Sequence, residues 1–145
     1  MTTDALGGGA TRPAPNSKAL NVGLWIVQVL LALAFGMAGT FKSTAPIAEL
    51  AQKMPWVGQV PAALVRFIGV SELAAALGLI LPSATRIKPV LTPLAGLGLV
   101  LVMVLAAGFH LSKGEVHALP INFVLGGLAA FVAWGRLRKA PISPR

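Results

Sequence analysis

Apolar residues are concentrated in four long runs separated by short polar stretches, at residues 20–41, 62–81, 89–109 and 119–135. Crossing a bilayer core of about 30 Å takes roughly 20 residues of a helix that rises about 1.5 Å per residue, so each run is long enough. The runs are continuous and rich in Leu and Ala, and they lack the alternation of a membrane β-strand. The pattern predicts an all-α membrane protein, a bundle of four transmembrane helices.

Prolines mark the starts of three runs, at Pro61, Pro89 and Pro120. The first turn of a helix tolerates proline because the missing N–H would have no partner there. The first run is longer than the apolar region of a cleaved signal peptide, which is about 7–15 residues. We therefore expect the first run to be retained as a transmembrane helix.

The segment between the first two runs has a helical pattern of its own. Ile47, Leu50, Ala51 and Met54 recur at positions i, i+3, i+4 and i+7, and polar residues occupy the rest of the wheel. This predicts a short amphipathic helix lying on the outer surface of the bundle. It is interpreted either as a lid over an outward-facing cavity or as a plain connector.

Three parts make up the predicted domain organisation: a disordered cytoplasmic tail at 1–19, the membrane domain at 20–139 and a cytoplasmic C-terminal tail at 140–145. The first tail contains too little apolar surface to fold alone. Its run Gly7–Gly9 is not a phosphate-binding loop, because no Gly-Lys-Ser/Thr sequence follows it.

Composition agrees with the membrane assignment, since 56% of residues are hydrophobic and only 11% are charged, too few to cover a soluble core. The chain has no Cys, which excludes thiolate metal sites, iron–sulfur clusters and disulfides. Its two histidines are weak support for a haem or metal site, and no metal is predicted. The net charge of +8 does not indicate nucleic-acid binding, because the cations lie at the ends of apolar runs.

The distribution of cations predicts the orientation. With four spans, the tails and the second loop share one side, which holds eight cations: Arg12, Lys18, Arg86, Lys88, Arg136, Arg138, Lys139 and Arg145. Cationic loops stay in the cytoplasm, so both termini are predicted to be cytoplasmic, and we expect a bacterial inner-membrane location. On the opposite side, Arg66 and Trp56 are predicted to lie at the outer interface.

Glu72 is the most informative residue, because a charge within a span costs roughly 2.5–3.5 kcal/mol on insertion scales. Arg66 is on the same helix, but six residues turn the helix by about 240°, so the two side chains leave different faces. Lys42, His110 and Asn122 reach the same outer layer from the other three helices. These four residues are predicted to form a ligand-binding cluster in which either Lys42 or His110 compensates the charge of Glu72. The alternative is a buried carboxyl that locks helix packing.

Pairs of small residues at four-residue spacing also occur within the spans and predict close helix packing: Ala32 with Gly36, Ala74 with Gly78, and Gly126 with Ala130.

The chain resembles the DoxX-like family of small four-helix membrane proteins. The resemblance is carried by the stretch from Arg66 to Pro82, which includes Val70-Ser71-Glu72, by Gly39-Thr40-Phe41-Lys42, by His110 and by Pro120-Ile121-Asn122. The namesake of the family is similar to a small membrane subunit of a thiosulfate:quinone oxidoreductase, and distant relatives serve as assembly or trafficking factors. With no Cys and no Tyr, the sequence gives no independent support for sulfur chemistry.

Two functions are favoured at this stage, and a transporter or channel is less favoured because four helices without an evident inverted repeat leave little room for alternating access. The first is a membrane subunit that binds a small lipophilic ligand, with a quinone as the cofactor that the resemblance suggests and Glu72 at the polar end of the pocket. The second is a non-enzymatic accessory protein for another membrane protein, in which Arg136, Arg138 and Lys139 only fix the topology. No catalytic residue is identified, and the chain could act as a subunit of an oxidoreductase without being an enzyme by itself. Expected partners are the lipid bilayer and either a membrane protein or a second copy of the chain, with no nucleic acid.

Overall fold

The computed structural model describes residues 15–145, which form five α-helices and no β-strand. The helices are α1 (Pro15–Thr44), α2 (Ile47–Lys53), α3 (Ala62–Thr85), α4 (Leu91–Ser112) and α5 (Leu119–Trp134). Short 3₁₀ turns at Pro55–Gln59 and Val116–Ala118 precede α3 and α5, and a π-helical turn at Gly135–Lys139 follows α5. The predicted tail lies outside the described residues over positions 1–14, and α1 begins at Pro15, before the predicted span.

The four long helices are the predicted spans, since α1, α3 and α4, and α5 together with the turns on either side of it (Val116–Lys139), are long and apolar enough to cross a membrane. Between them they enclose a core of eight residues: Leu31, Phe35, Ala76, Leu79, Leu99, Met103, Ala129 and Val132. Their outward faces carry large exposed apolar side chains such as Met37, Phe67, Leu105 and Phe123. An apolar surface of this extent suits contact with lipid rather than water. The structure confirms the four-helix membrane bundle.

Helices α1 and α3 run antiparallel, with their backbones in contact at two glycines. A Cβ placed on Gly39 would lie 2.7 Å from the carbonyl oxygen of Gly69, and one placed on Gly69 would lie 2.8 Å from the Cβ of Lys42. Only glycine permits this approach. The predicted small residues Gly78 and Gly126 also lie at helix contacts, against Ala95 and Met103.

The amphipathic helix predicted between the first two spans is α2. It buries Leu50, which packs with Val57 of the following 3₁₀ turn and with Val65 of α3. Its polar residues Glu49 and Lys53 are exposed. We call α2 and the turn Pro55–Gln59 the cap, because the two segments cover one end of the bundle, the Lys42 end. The opposite end is called the Arg136 end.

Helix α3 continues through Pro82 to Thr85 instead of ending at residue 81 as predicted. Proline lacks the N–H that would bond to the carbonyl four residues earlier, which leaves the Gly78 carbonyl free. The Thr92 hydroxyl of α4 donates to that carbonyl at 3.1 Å, and the Ser83 hydroxyl donates to Thr92 at 2.8 Å. A neighbouring helix thus compensates for the proline, and α3 ends at Thr85, where the next residue, Arg86, has a left-handed backbone with φ 61°.

Candidate functional site

A buried ion pair joins α1 to α3 at the Lys42 end. Lys42 Nζ donates to both carboxylate oxygens of Glu72 at 2.8 Å, and the two side chains are only 11% and 3% exposed. Each follows a contact glycine, Gly39 or Gly69, by three residues. Helical side chains tilt toward the N-terminus of their helix, so on antiparallel helices these two point toward each other. The close glycine contact and the antiparallel packing therefore build the pair.

Two further side chains, Arg66 of α3 and Trp56 of the cap, contact Lys42. Arg66 does not contact Glu72; its Nη1 donates to the carbonyl oxygen of Lys42 at 2.8 Å. That carbonyl is in the last turn of α1, where carbonyls lack helical partners. Trp56 of the cap lies with its ring centroid 5.8 Å from Lys42 Nζ, within range of a cation–π contact. Arg66 and Trp56 thus hold Lys42 as well as occupying the end of the bundle.

His110 has a different partner from the one considered in the sequence. Its Nδ1 lies 2.7 Å from a carboxylate oxygen of Glu115, in the loop that follows α4. This hydrogen bond lowers the pKa of Glu115 below its ordinary value, and the nearby Gln59 side chain of the cap has a smaller effect in the same direction. The sequence left open whether Lys42 or His110 compensates the charge of Glu72. In the structure Lys42 does so.

Aromatic rings connect the two polar pairs. Trp56 meets Phe109 edge to face with ring centroids 6.5 Å apart, and Phe109 meets the His110 ring at 5.7 Å. The rings extend from Lys42 on α1, through Trp56 of the cap, to His110 on α4. They provide flat apolar surfaces between two hydrogen-bonding pairs.

Asn122, the fourth predicted member, is buried in the first turn of α5. Its amide nitrogen has no hydrogen-bond partner among residues 15–145, and the same is true of the Ser43 hydroxyl beside Lys42. A buried polar group without a partner costs about 1–3 kcal/mol. Asn122 and Ser43 therefore have unused hydrogen-bonding capacity within the bundle.

A second polar cluster, at the Arg136 end, was not predicted. Arg136 is only 4% exposed; its Nε donates to the side-chain oxygen of Gln28 at 2.7 Å, and its Nη1 to that of Asn21 at 2.6 Å. Gln28 in turn donates to the Leu79 carbonyl at 2.5 Å. The guanidinium also lies 5.3 Å from the Trp25 ring. The interpretation of Arg136 as only a topology signal is therefore incomplete, because its side chain joins the π-helical turn after α5 to α1 and, through Gln28, to α3.

Gln28 was the available signal for this cluster. It is a polar residue within the first apolar run, 14 positions before Lys42, and four helical turns are about 14.4 residues. The two residues therefore share one face of α1, and that face is the buried one. A polar residue on the buried face of a span needs a partner on a neighbouring helix.

One comparison with known proteins identifies relatives. A family model described as the DoxX-like family matches residues 26–132, well over half of the chain, including Lys42, Glu72, His110 and Asn122. No curated protein and no solved structure matches the chain.

Proposed function

The chain belongs to the DoxX-like family and is a multi-pass membrane protein. From this we propose that it acts as a small membrane subunit. We propose further that it binds a lipophilic ligand of the quinone class at the Lys42 end. The observation that carries the proposal is the buried Lys42–Glu72 ion pair beneath the cap.

Energetics argue that the bundle does not need this pair for stability. Removing two charges from water costs several kcal/mol per ion, and apolar residues of similar volume are often equally stable or better by about 1–4 kcal/mol. The chain fills the rest of its core with such apolar residues. An ionisable pair retained within a span is best explained by a role in binding or proton handling.

Hydrogen-bonding groups at the Lys42 end of the bundle suit a quinone, which presents two carbonyl acceptors on a flat ring. Lys42 has three N–H donors, of which Glu72 accepts two, and Asn122 offers an amide donor with no partner among the described residues. Trp56 and Phe109 provide aromatic faces against which a ring can pack. A bound quinone would supply two-electron redox chemistry, for which the Cys-free chain has no group of its own.

A groove on α1 supports the binding of an apolar tail. It has a volume of about 460 Å³ and runs along the lipid-facing side from Ala32 to Thr44, with Gly36 and Phe41 in its wall. The groove is lined by residues of α1 alone, and Lys42, which faces α3, is not among them, so the groove supports a lipid-facing contact with the tail and does not itself position the head group.

The orientation is part of the proposal. Arg86, Lys88, Arg136, Arg138 and Lys139 all lie toward the Arg136 end, which we assign to the cytoplasm, in a bacterial inner membrane. The Lys42 end then faces outward.

An accessory role for another membrane protein is the competing proposal. It is supported by the hydrogen bonds of the ion pair itself: both carboxylate oxygens of Glu72 already accept from Lys42. Such a pair can serve to hold α1 against α3 without any ligand.

Tryptophan fluorescence tests the ligand proposal, since quinones quench tryptophan and Trp56 lies beside Lys42. The full chain in nanodiscs is titrated with a short-chain ubiquinone analogue. Saturable quenching is expected in the wild type and in Trp134→Phe, but it should be lost in Trp56→Phe. Equal, non-saturable quenching in all three proteins would reject the site, and a stoichiometric protein partner retained in mild detergent would then favour the accessory role.

A further inference from the structure

We propose that the Arg136 end contains a second, separate binding site, which takes a phosphate group. The group could be the head group of an anionic phospholipid or free inorganic phosphate, and both share the chemistry recognised here. The site is independent of the ligand proposed at the Lys42 end and uses none of its residues.

The charge of Arg136 has no counter-ion among the described residues. Its three hydrogen bonds from Nε and Nη1 go to neutral oxygens, those of Gln28, Asn21 and the Ala140 carbonyl. Its remaining nitrogen, Nη2, is buried and has no hydrogen-bond partner within residues 15–145. A buried guanidinium held by neutral groups, with one nitrogen free, is arranged to receive an anion.

A cavity next to Arg136 provides room for that anion. Its volume is about 390 Å³, and its lining includes Arg136, Lys88, Ser83 and Pro93, together with Pro141 and Pro144 of the C-terminal segment. Lys88 contributes a second cation from the loop before α4. No Asp or Glu is among the lining residues of this cavity, so nothing in its described wall competes with an anion for the two cations.

Specific contacts hold the C-terminal segment in place as one wall of the cavity. Arg86 Nε donates to the Ser143 carbonyl at 2.9 Å, and the Arg145 backbone N–H donates to the Arg86 carbonyl at 3.2 Å. The apolar residues Val90, Leu137 and Ile142 also line the cavity. Two cations beside apolar surface at the end of a span suit an amphiphile with a phosphate head group.

Lipid binding in defined nanodiscs tests the site. The full chain is placed in phosphatidylcholine nanodiscs with or without a small fraction of phosphatidic acid, and bound lipid is counted by native mass spectrometry. Lys88→Gln removes the exposed cation of the cavity. Arg138→Gln is the matched control, because it removes the same charge from an exposed residue two positions from Arg136 and outside the cavity.

The wild type is expected to retain phosphatidic acid. Lys88→Gln should weaken this retention about fivefold, and Arg138→Gln should leave it unchanged. Arg136→Gln should weaken it by more than about tenfold, since it removes the charged hydrogen-bond donor itself. If inorganic phosphate displaces the lipid and stabilises the protein in phosphatidylcholine alone, the site takes free phosphate; if it does neither, the head group is the ligand. Equal losses for Lys88→Gln and Arg138→Gln, or no binding of either probe to the wild type, would overturn the proposal.

Discussion

Removing the Lys42–Glu72 pair one residue at a time should destabilise the bundle, whereas removing both together should not. Lys42→Met leaves a buried carboxylate without its cation, and Glu72→Met leaves a buried ammonium without its anion. The double variant leaves neither charge and places apolar side chains of similar length at the contact. The three variants form a double-mutant cycle.

Geometry sets the expected magnitude. At 2.8 Å and an effective dielectric constant of about 20, the attraction between the two charges is roughly 6 kcal/mol. Desolvation of two side chains as little exposed as these opposes it by several kcal/mol per ion. The free energy of unfolding of each single variant is therefore expected to be about 3–5 kcal/mol lower than that of the wild type. The double variant should be within about 1 kcal/mol of the wild type or more stable.

Reversible unfolding in mixed micelles, followed by far-ultraviolet circular dichroism, measures the four free energies. Arg66→Gln serves as a comparison, because within residues 15–145 the Arg66 side chain donates to the Lys42 carbonyl and not to Glu72. A double variant that loses the sum of the two single losses would refute the reasoning, because the pair would then act as two independent packing contacts.

Three further predictions concern other contacts. Gly39→Ala should lower the free energy of unfolding by about 1–3 kcal/mol or more, because the new Cβ would meet the α3 backbone. Gly98→Ala is the control, because the space around Gly98 is open, and it should be neutral or slightly stabilising. Thermal unfolding of the two variants compares them. Thr92→Val should lower the free energy of unfolding by about 1–3 kcal/mol, because it leaves the Gly78 carbonyl unpaired. The loss should be smaller in a Pro82→Ala background, because alanine restores the helical N–H that bonds to this carbonyl. Equal losses in both backgrounds would contradict the prediction. The lowered pKa of Glu115 means that its contribution to stability is present above the ordinary value of 4.5 and is lost as pH falls through the lower folded value. Protection factors of the cap amides, which correct for the intrinsic pH dependence of hydrogen exchange, should therefore fall at acid pH in the wild type and change little with pH in Glu115→Gln.

The spans could be predicted from the sequence because each depends on a continuous apolar run. Their ends were less accurate, since α3 passes Pro82 only because Thr92, on another helix, bonds to the freed carbonyl. No local pattern carries that information.

The same distinction applies to the polar residues. Depth along a helix placed Lys42, Glu72, His110 and Asn122 in one layer, but the choice of Lys42 as partner depends on the packing of α1 on α3 at Gly39 and Gly69. Arg136 was missed because a cation at the end of a span is usually a topology signal. Its burial depends on Gln28, which is 108 positions away in the chain.

Native mass spectrometry of the wild type and of Lys42→Met/Glu72→Met, both purified in gentle detergent with identification of bound lipids and quinones, tests the central claim most directly. The double variant is suited to this comparison because it is expected to stay folded while losing the polar end of the site. The proposal predicts a small lipophilic molecule of the quinone class on the wild type that is absent from the double variant. Retention of the same molecule by both, or its absence from the wild type, would contradict the proposal and leave the ion pair as a lock between two helices.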